Sequence, residues 1–136
     1  MTDIKNKILK LVNKDSEYVL ALSGGVDSAV LASIFNDLNL SYRTIFINHN
    51  QKDSDILQTS AEEIAKNLKT KHENIVSDLE KNASETKMRE KRYGLLIDNL
   101  KKDEILVTGH HKDDKVETFL INLFRGTRLK GLTSIK

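Results

Sequence analysis

With 136 residues, 22 lysines and arginines against 20 aspartates and glutamates, and no cysteine, the chain has the length of one domain with one core, and its net charge of +2 neither demands nor excludes a nucleic-acid partner. The missing cysteines exclude disulfides, thiolate metal sites, iron–sulfur ligation and any thiol or persulfide chemistry. No stretch approaches a membrane span, and lysines and an asparagine interrupt any signal-peptide core over residues 1–12, so no membrane partner and a cytoplasmic or organelle-matrix location are expected.

Ile4, Ile8, Leu11 and Val12 recur at helical spacing and predict a short opening helix. The apolar run Tyr18–Leu22 predicts the first strand. Val26, Val30, Leu31, Ile34, Phe35 and Leu38 then form one face of an amphipathic helix over residues 26–38. A second strand is expected over residues 42–48, around Ile45-Phe46-Ile47, a β-branched and aromatic run suited to burial on both faces. Residues 54–68 read as helix, residues 72–77 as a weak third strand, and residues 83–100 as a long helix, charged at first and apolar at Leu95, Leu96, Ile97 and Leu100. Ile105-Leu106-Val107 centres a fourth strand over residues 104–108, and residues 116–124 predict a final helix. This alternation argues an α/β fold, a Rossmann-like parallel sheet with helices on both faces, in one domain spanning residues 1–136. Ligands of such sheets bind beyond the carboxyl ends of the strands, where this chain carries Ser23-Gly24-Gly25, Asn48-His49 and Gly109-His110-His111.

Two constellations carry chemistry. The first is Ser23-Gly24-Gly25-Val26-Asp27-Ser28, a glycine-rich turn between a strand and a helix, whose backbone N–H groups can converge on phosphate oxygens at the positive end of the helix. It is not a Walker A loop, since Asp27 is the only acid or base in it and no lysine follows the glycines. An ordinary turn with Ser23 as a helix cap is the plainer explanation of the same residues. The second is His110-His111-Lys112-Asp113-Asp114-Lys115-Val116-Glu117-Thr118. If a helix begins near Lys112, Asp114 and Glu117 share a face and form a site for a cation: a metal ion, an arginine or the ammonium of a small substrate. Stabilisation of the helix dipole is the competing explanation. Zinc on the paired histidines is disfavoured, because adjacent side chains diverge and no further soft ligand is at hand. Lys87, Arg89, Lys91 and Arg92 add a cationic stretch, explicable as a solvated helix face with Glu85 and Arg89 as an i,i+4 pair; Arg125-Gly126-Thr127 reads as a cationic helix end; His72 has no motif around it and reads as a surface histidine.

The pattern S-G-G-x-D-S resembles the PP-loop of ATP pyrophosphatases, of adenine nucleotide alpha hydrolase-like fold, which split ATP into AMP and pyrophosphate. Together with I-N-H, E-T-K-M-R-E-K-R-Y, G-H-H-K-D-D-K-V-E-T and R-G-T-R-L-K-G-L, it resembles the tRNA(Ile)-lysidine synthetase family over residues 18–132. The resemblance implies a ligase that uses ATP and magnesium to adenylate the wobble cytidine of isoleucine tRNA and attaches free L-lysine, releasing AMP and pyrophosphate. It implies ATP phosphates on Ser23, Gly24, Gly25, Val26, Asp27 and Ser28, with Asp27 near magnesium. Asp114 and Glu117 would receive lysine, His110 would orient or polarise the reacting groups, and Arg89, Arg92 and Arg125 would meet phosphate or tRNA.

The chain departs from the family pattern in several places. Asn50-Gln51-Lys52 stands where glycine, leucine and arginine are usual, Lys115 replaces a common glutamine, and Arg128 a glycine. Family members also continue into tRNA-gripping domains, so the chain is expected to be truncated relative to them, with weak tRNA recognition on its own. Two alternatives share the loop: another PP-loop adenylating amide or amine ligase, and a non-catalytic ATP-binding module.

Overall fold

The computed structural model describes residues 2–111 and 119–125. Its elements are α1 (Thr2–Leu11), β1 (Glu17–Leu22), α2 (Val26–Asp37), β2 (Ser41–Asn48), α3 (Ser54–Leu68), β3 (His72–Val76), α4 (Glu85–Asp98), β4 (Glu104–His111) and β5 (Phe119–Arg125). The strands form one sheet in the order β3-β2-β1-β4-β5, parallel throughout except for the antiparallel edge pair β4–β5. This is the expected Rossmann-like α/β architecture, with consecutive parallel strands joined through helices.

Strand alternation sorts side chains onto two faces. Tyr18, Leu20, Leu22, Phe46, Ile105 and Val107 point to one face, where Ile8 of α1, Leu31, Ile34 and Phe35 of α2 and Ala61 and Ala65 of α3 cover them. Val19, Ile45, Ile47, Leu106 and Phe124 point to the other, under Leu96 and Ile97 of α4 and Leu100 just beyond it. Phe35 is fully buried, with edge-on ring contacts to Tyr18 and Tyr42 at centroid distances of 5.3 and 6.3 Å. A side chain of that size contributes about 1.5–3 kcal/mol when fully withdrawn from water.

Local signals fix the element ends. Ser84 caps α4 by accepting a hydrogen bond from the Lys87 N–H at 3.2 Å. Lys69 closes α3 in the left-handed conformation, φ 57°. At the amino edge of the sheet, Arg43 donates from Nε and from one terminal nitrogen to the two carboxylate oxygens of Glu104, each at 2.9 Å, and also to the Asn99 carbonyl at 2.9 Å. Glu104 further accepts the Lys101 N–H at 2.7 Å, so the turn between α4 and β4 is pinned to β2. Ser41 donates to Glu17 along the same edge. His72 is not the free surface histidine its sequence context suggests: its ring bonds the buried Thr44 hydroxyl and Asn74, each at 2.7 Å.

The expectations for the last described part of the chain are corrected, including the helix end at Arg125, which closes strand β5 instead. Residues 119–124, expected in a final helix, belong to strand β5, with Leu123 opposite Val107 and Phe124 opposite Leu106; residues 116–118 lie outside the described residues. The run Phe119–Phe124 is short, aromatic and partly β-branched, and periodicity alone does not separate such a run from a buried helix. Pairing decides it. Ile121 and Leu123 pack on the α1–α3 face, while Phe124 turns to the α4 face and meets Tyr93 edge-on at 5.7 Å. The same pairing carries β4 past Thr108, so Gly109, His110 and His111 are strand residues opposite Ile121, Leu120 and Phe119.

Candidate functional site

The two halves of the sheet diverge at β1, which pairs with β2 on one side and β4 on the other. The crevice at the carboxyl ends of these strands is where the topology opens a ligand site, and the Ser23–Ser28 loop rises from β1 into it.

The loop is held from within. Ser28, 4% exposed, accepts the Ser23 N–H at 3.0 Å, its hydroxyl lies 3.1 Å from that of Ser23, and it donates to the Gly25 carbonyl at 3.3 Å. Ser23 Oγ in turn accepts the Gly25 N–H at 3.2 Å. The plainer expectation of Ser23 as the cap of α2 fails, because the N-cap is Gly25, with no side-chain cap bond. The first-turn N–H groups of α2 therefore lie at an uncapped, positively polarised helix end, the arrangement that receives phosphate oxygens. Gly24 has φ +82°, and a Cβ there would lie 2.7 Å from the Leu57 carbonyl oxygen of α3. Glycine is thus required at this point both by conformation and by the closeness of α3. Around Gly25 a Cβ would meet only Ser23 Oγ, at 3.3 Å, so that side of the loop is open. Val26 is 77% exposed in the first turn of α2, and Asp27 follows it.

Sequence reasoning left the carboxyl end of β2 without assigned roles, although its polar run Asn48-His49-Asn50-Gln51 at a strand end was the available signal. Asn50 takes φ 57°, a left-handed conformation asparagine tolerates, so the chain makes this bend without glycine. Gln51 donates to the carbonyls of His49 at 2.9 Å and Glu80 at 3.0 Å, and accepts the Asn82 N–H at 2.9 Å, stapling this loop to the segment before α4. His49 Nδ1 lies 3.2 Å from Ser77 Oγ, while its Nε2 is buried without a hydrogen-bond partner among the described residues. Burial, reinforced by the Arg92 charge and opposed by that of Glu85, lowers the His49 pKa from 6.5. The stretch of α4 from Glu85 to Arg92 therefore faces the same edge of the sheet as His49. Arg92 stacks over the Tyr93 ring at 5.7 Å. The Glu85–Arg89 pair is not among the ion pairs of the described residues; Lys91 pairs with Asp78 at 2.9 Å and Lys87 with Glu80 at 4.0 Å instead. Thr108 Oγ1, on β4, is also buried without a partner among the described residues.

Of the residues singled out in the sequence, Ser23 to Ser28, Arg92 and the backbone of His110 lie on elements that meet at this edge. Arg89 is exposed on α4. Because His110 is in a strand, its four-residue offset from Asp114 is not a helical one at its origin. Arg125 ends β5 opposite Ile105, toward the amino end of β4 and away from the crevice. Asp114 and Glu117 lie outside the described residues. No group of three or more histidine, aspartate or glutamate side chains able to hold a metal occurs among the described residues. No helix among them is long and apolar enough to cross a membrane.

A family model described as a PP-loop domain matches residues 1–136. The chain is 35% identical over 122 residues to the tRNA(Ile)-lysidine synthase of Actinobacillus pleuropneumoniae serotype 3, covering 88% of this chain and 29% of that protein. It is 37% identical over 141 residues to the tRNA(Ile)-lysidine synthase of Buchnera aphidicola subsp. Acyrthosiphon pisum, covering 97% of this chain and 31% of that protein. It therefore spans under a third of the length of either relative. Among solved structures, an NH3-dependent NAD synthetase from Campylobacter jejuni overlaps it at a TM-score of 0.46 and 18% identity, over 76% of this chain and 51% of that one. With a matching model over its whole length and the loop standing at the β1–α2 turn, the chain belongs to the PP-loop family.

Proposed function

We propose that this domain is the ATP-handling core of a tRNA(Ile)-lysidine synthase, which adenylates the wobble cytidine of isoleucine tRNA and then joins lysine to it. The observation that carries the reading is the Ser23–Ser28 loop, self-bonded through Ser23 and Ser28 and ending in an uncapped helix amino terminus beside the β1–β4 crevice. Its likeness to synthases of that name supports the choice of substrate.

In this mechanism the N–H groups of Val26, Asp27 and Ser28 hold the ATP phosphates, and pyrophosphate leaves as the carbonyl oxygen of cytosine attacks the α-phosphorus. The charge that builds on the phosphoryl oxygens is met by the helix end and by Arg92 and Arg89, whose planar guanidinium groups suit phosphate. Asp27 is the carboxylate in the loop that would hold magnesium, together with phosphate oxygens; the ion would supply further charge neutralisation there. Lysine enters on Asp114 and Glu117; its ε-amine gives up its proton to one of these carboxylates, forms the bond to the activated carbon and expels AMP as the bond from that carbon to the adenylate oxygen breaks, with His110 orienting the reacting groups. Arg125 contributes to tRNA binding. One domain with a cytoplasmic location is part of the same proposal.

The test is AMP release from labelled ATP with magnesium and lysine, comparing isoleucine tRNA carrying a wobble cytidine with the same tRNA carrying uridine. Cytidine-dependent AMP with lysine incorporation is expected. Cytidine-independent AMP would favour another adenylating ligase, and ATP binding without AMP a binding module.

A further inference from the structure

Asn48 ends β2 and is 6% exposed. All the polar atoms of its side chain are engaged within the protein. The amide nitrogen donates to Asp55 Oδ1 at 3.2 Å and to Gln58 Oε1 at 2.9 Å, and the side-chain oxygen accepts the Asn50 N–H at 2.8 Å. Both acceptors lie in the first turns of α3. Between them in sequence is Leu57, the residue whose backbone crowds Gly24: its carbonyl oxygen and Cα would lie 2.7 and 3.1 Å from a Cβ at that glycine. A short, stiff path thus runs from the end of β2 through the Asn48 amide to α3, and from α3 to the back of the glycine-rich loop.

We propose that Asn48 is a positioning residue for the ATP loop: it sets where the start of α3 stands, and α3 in turn sets the curvature of the loop at Gly24. The proposal rests on the reading of Ser23–Ser28 as the phosphate cradle. With its donors and its acceptor occupied, Asn48 acts through α3, not by touching the nucleotide. Only an uncharged side chain with two N–H donors beside an acceptor serves all three partners. Aspartate in its place would lose both donors and set a second carboxylate against Asp55.

The test measures binding of Mg-ATP and of inorganic tripolyphosphate by calorimetry to the chain and to Asn48→Ala, Gln58→Ala and the double variant, with melting followed for each. If Asn48 shapes the phosphate cradle, Asn48→Ala weakens both ligands by a common factor of about 10, the scale of one or two displaced hydrogen bonds. Gln58→Ala, at a half-buried position on the α3 side of the same contact, weakens them less, and the double variant is no worse than Asn48→Ala. Unchanged affinities in a folded Asn48→Ala, with or without a lower melting temperature, would overturn the proposal, as would a loss confined to ATP, which would make Asn48 a contact to base or ribose. Should Asn48→Ala not fold, Gln58→Ala decides by the same criterion. If the unsubstituted chain binds neither ligand, the nucleotide reading itself fails.

Discussion

Replacing Gly24 by alanine tests the loop and its backing together. Two costs can be assigned from its geometry. At φ +82° an alanine is held in a region that disfavours L side chains, at about 1–3 kcal/mol. The added methyl would also stand 2.7 Å from the Leu57 carbonyl oxygen and 3.1 Å from both Leu57 Cα and Cβ. Relief requires the α3 backbone to retreat, an overpacking cost of about 1–3 kcal/mol. The total of about 2–6 kcal/mol is a large share of a typical domain stability of about 5–15 kcal/mol. With a urea dependence of about 2 kcal/mol per molar, the unfolding midpoint falls by about 1–3 M. Gly25→Ala is the internal comparison. Its φ of −97° is ordinary and its Cβ would meet only Ser23 Oγ at 3.3 Å, so it costs about 1 kcal/mol or less, the scale of a weakened cap. Urea unfolding of both variants, followed by far-UV circular dichroism, checks the difference. Equal midpoints for Gly24→Ala and Gly25→Ala would refute the assignment of Gly24 to a strained approach against α3.

Glu104→Ala leaves the largely buried Arg43 with only the more exposed Glu73 at 3.5 Å and the Asn99 carbonyl, and is expected to cost about 1–3 kcal/mol, below the cost of a buried charge left wholly unpaired. Burial opposes ionisation of Glu104, but the Arg43 hydrogen bonds, the Lys101 N–H and the nearby positive charges outweigh it and hold its pKa below 4.5. A depressed carboxylate stabilises the fold above its unfolded pKa, and that share is lost as pH falls through the lower folded value; the gap between the unsubstituted chain and Glu104→Ala therefore narrows below pH 4.5 in urea titrations. His49 is expected to titrate below 6.5 in NMR, and Arg92→Ala to move it upward; an unmoved value would detach α4 from the edge of β2. Since the folded pKa is lowered, neutral His49 favours folding above pH 6.5, and this contribution is lost as pH drops below that value. Asp114→Ala and Glu117→Ala should raise the lysine requirement of lysidine formation far more than the ATP requirement, measured as separate KM values. Equal effects would point to magnesium or a structural role.

The elements most legible in the sequence are those whose pattern is local. Leu57, Ala61, Ile64, Ala65 and Leu68 recur at helical spacing and pack on the core, giving α3 at Ser54–Leu68 as expected, and the apolar run before Ser23 gives β1 and with it the loop. Long-range pairing is what periodicity cannot reach. Residues 119–124 become strand only because β4 offers them an edge, and that partner also draws His110 and His111 into the sheet. Arg43 and Glu104 are 61 positions apart and individually look like surface charges. The same holds at the site. The glycines declare the loop, whereas Asn48 reads as an unremarkable polar residue until α3 is seen to hang from it.

The Arg43–Glu104 pair stands at the amino edge of the sheet, at the opposite end of the strands from the glycine-rich loop. Together with the Arg43 bond to Asn99 it fastens β2, β4 and the turn after α4 without drawing on any residue of the crevice. The framework and the chemistry are therefore anchored at different ends. A change in the loops at the carboxyl edge leaves untouched the bonds that hold the strands in register at the far end.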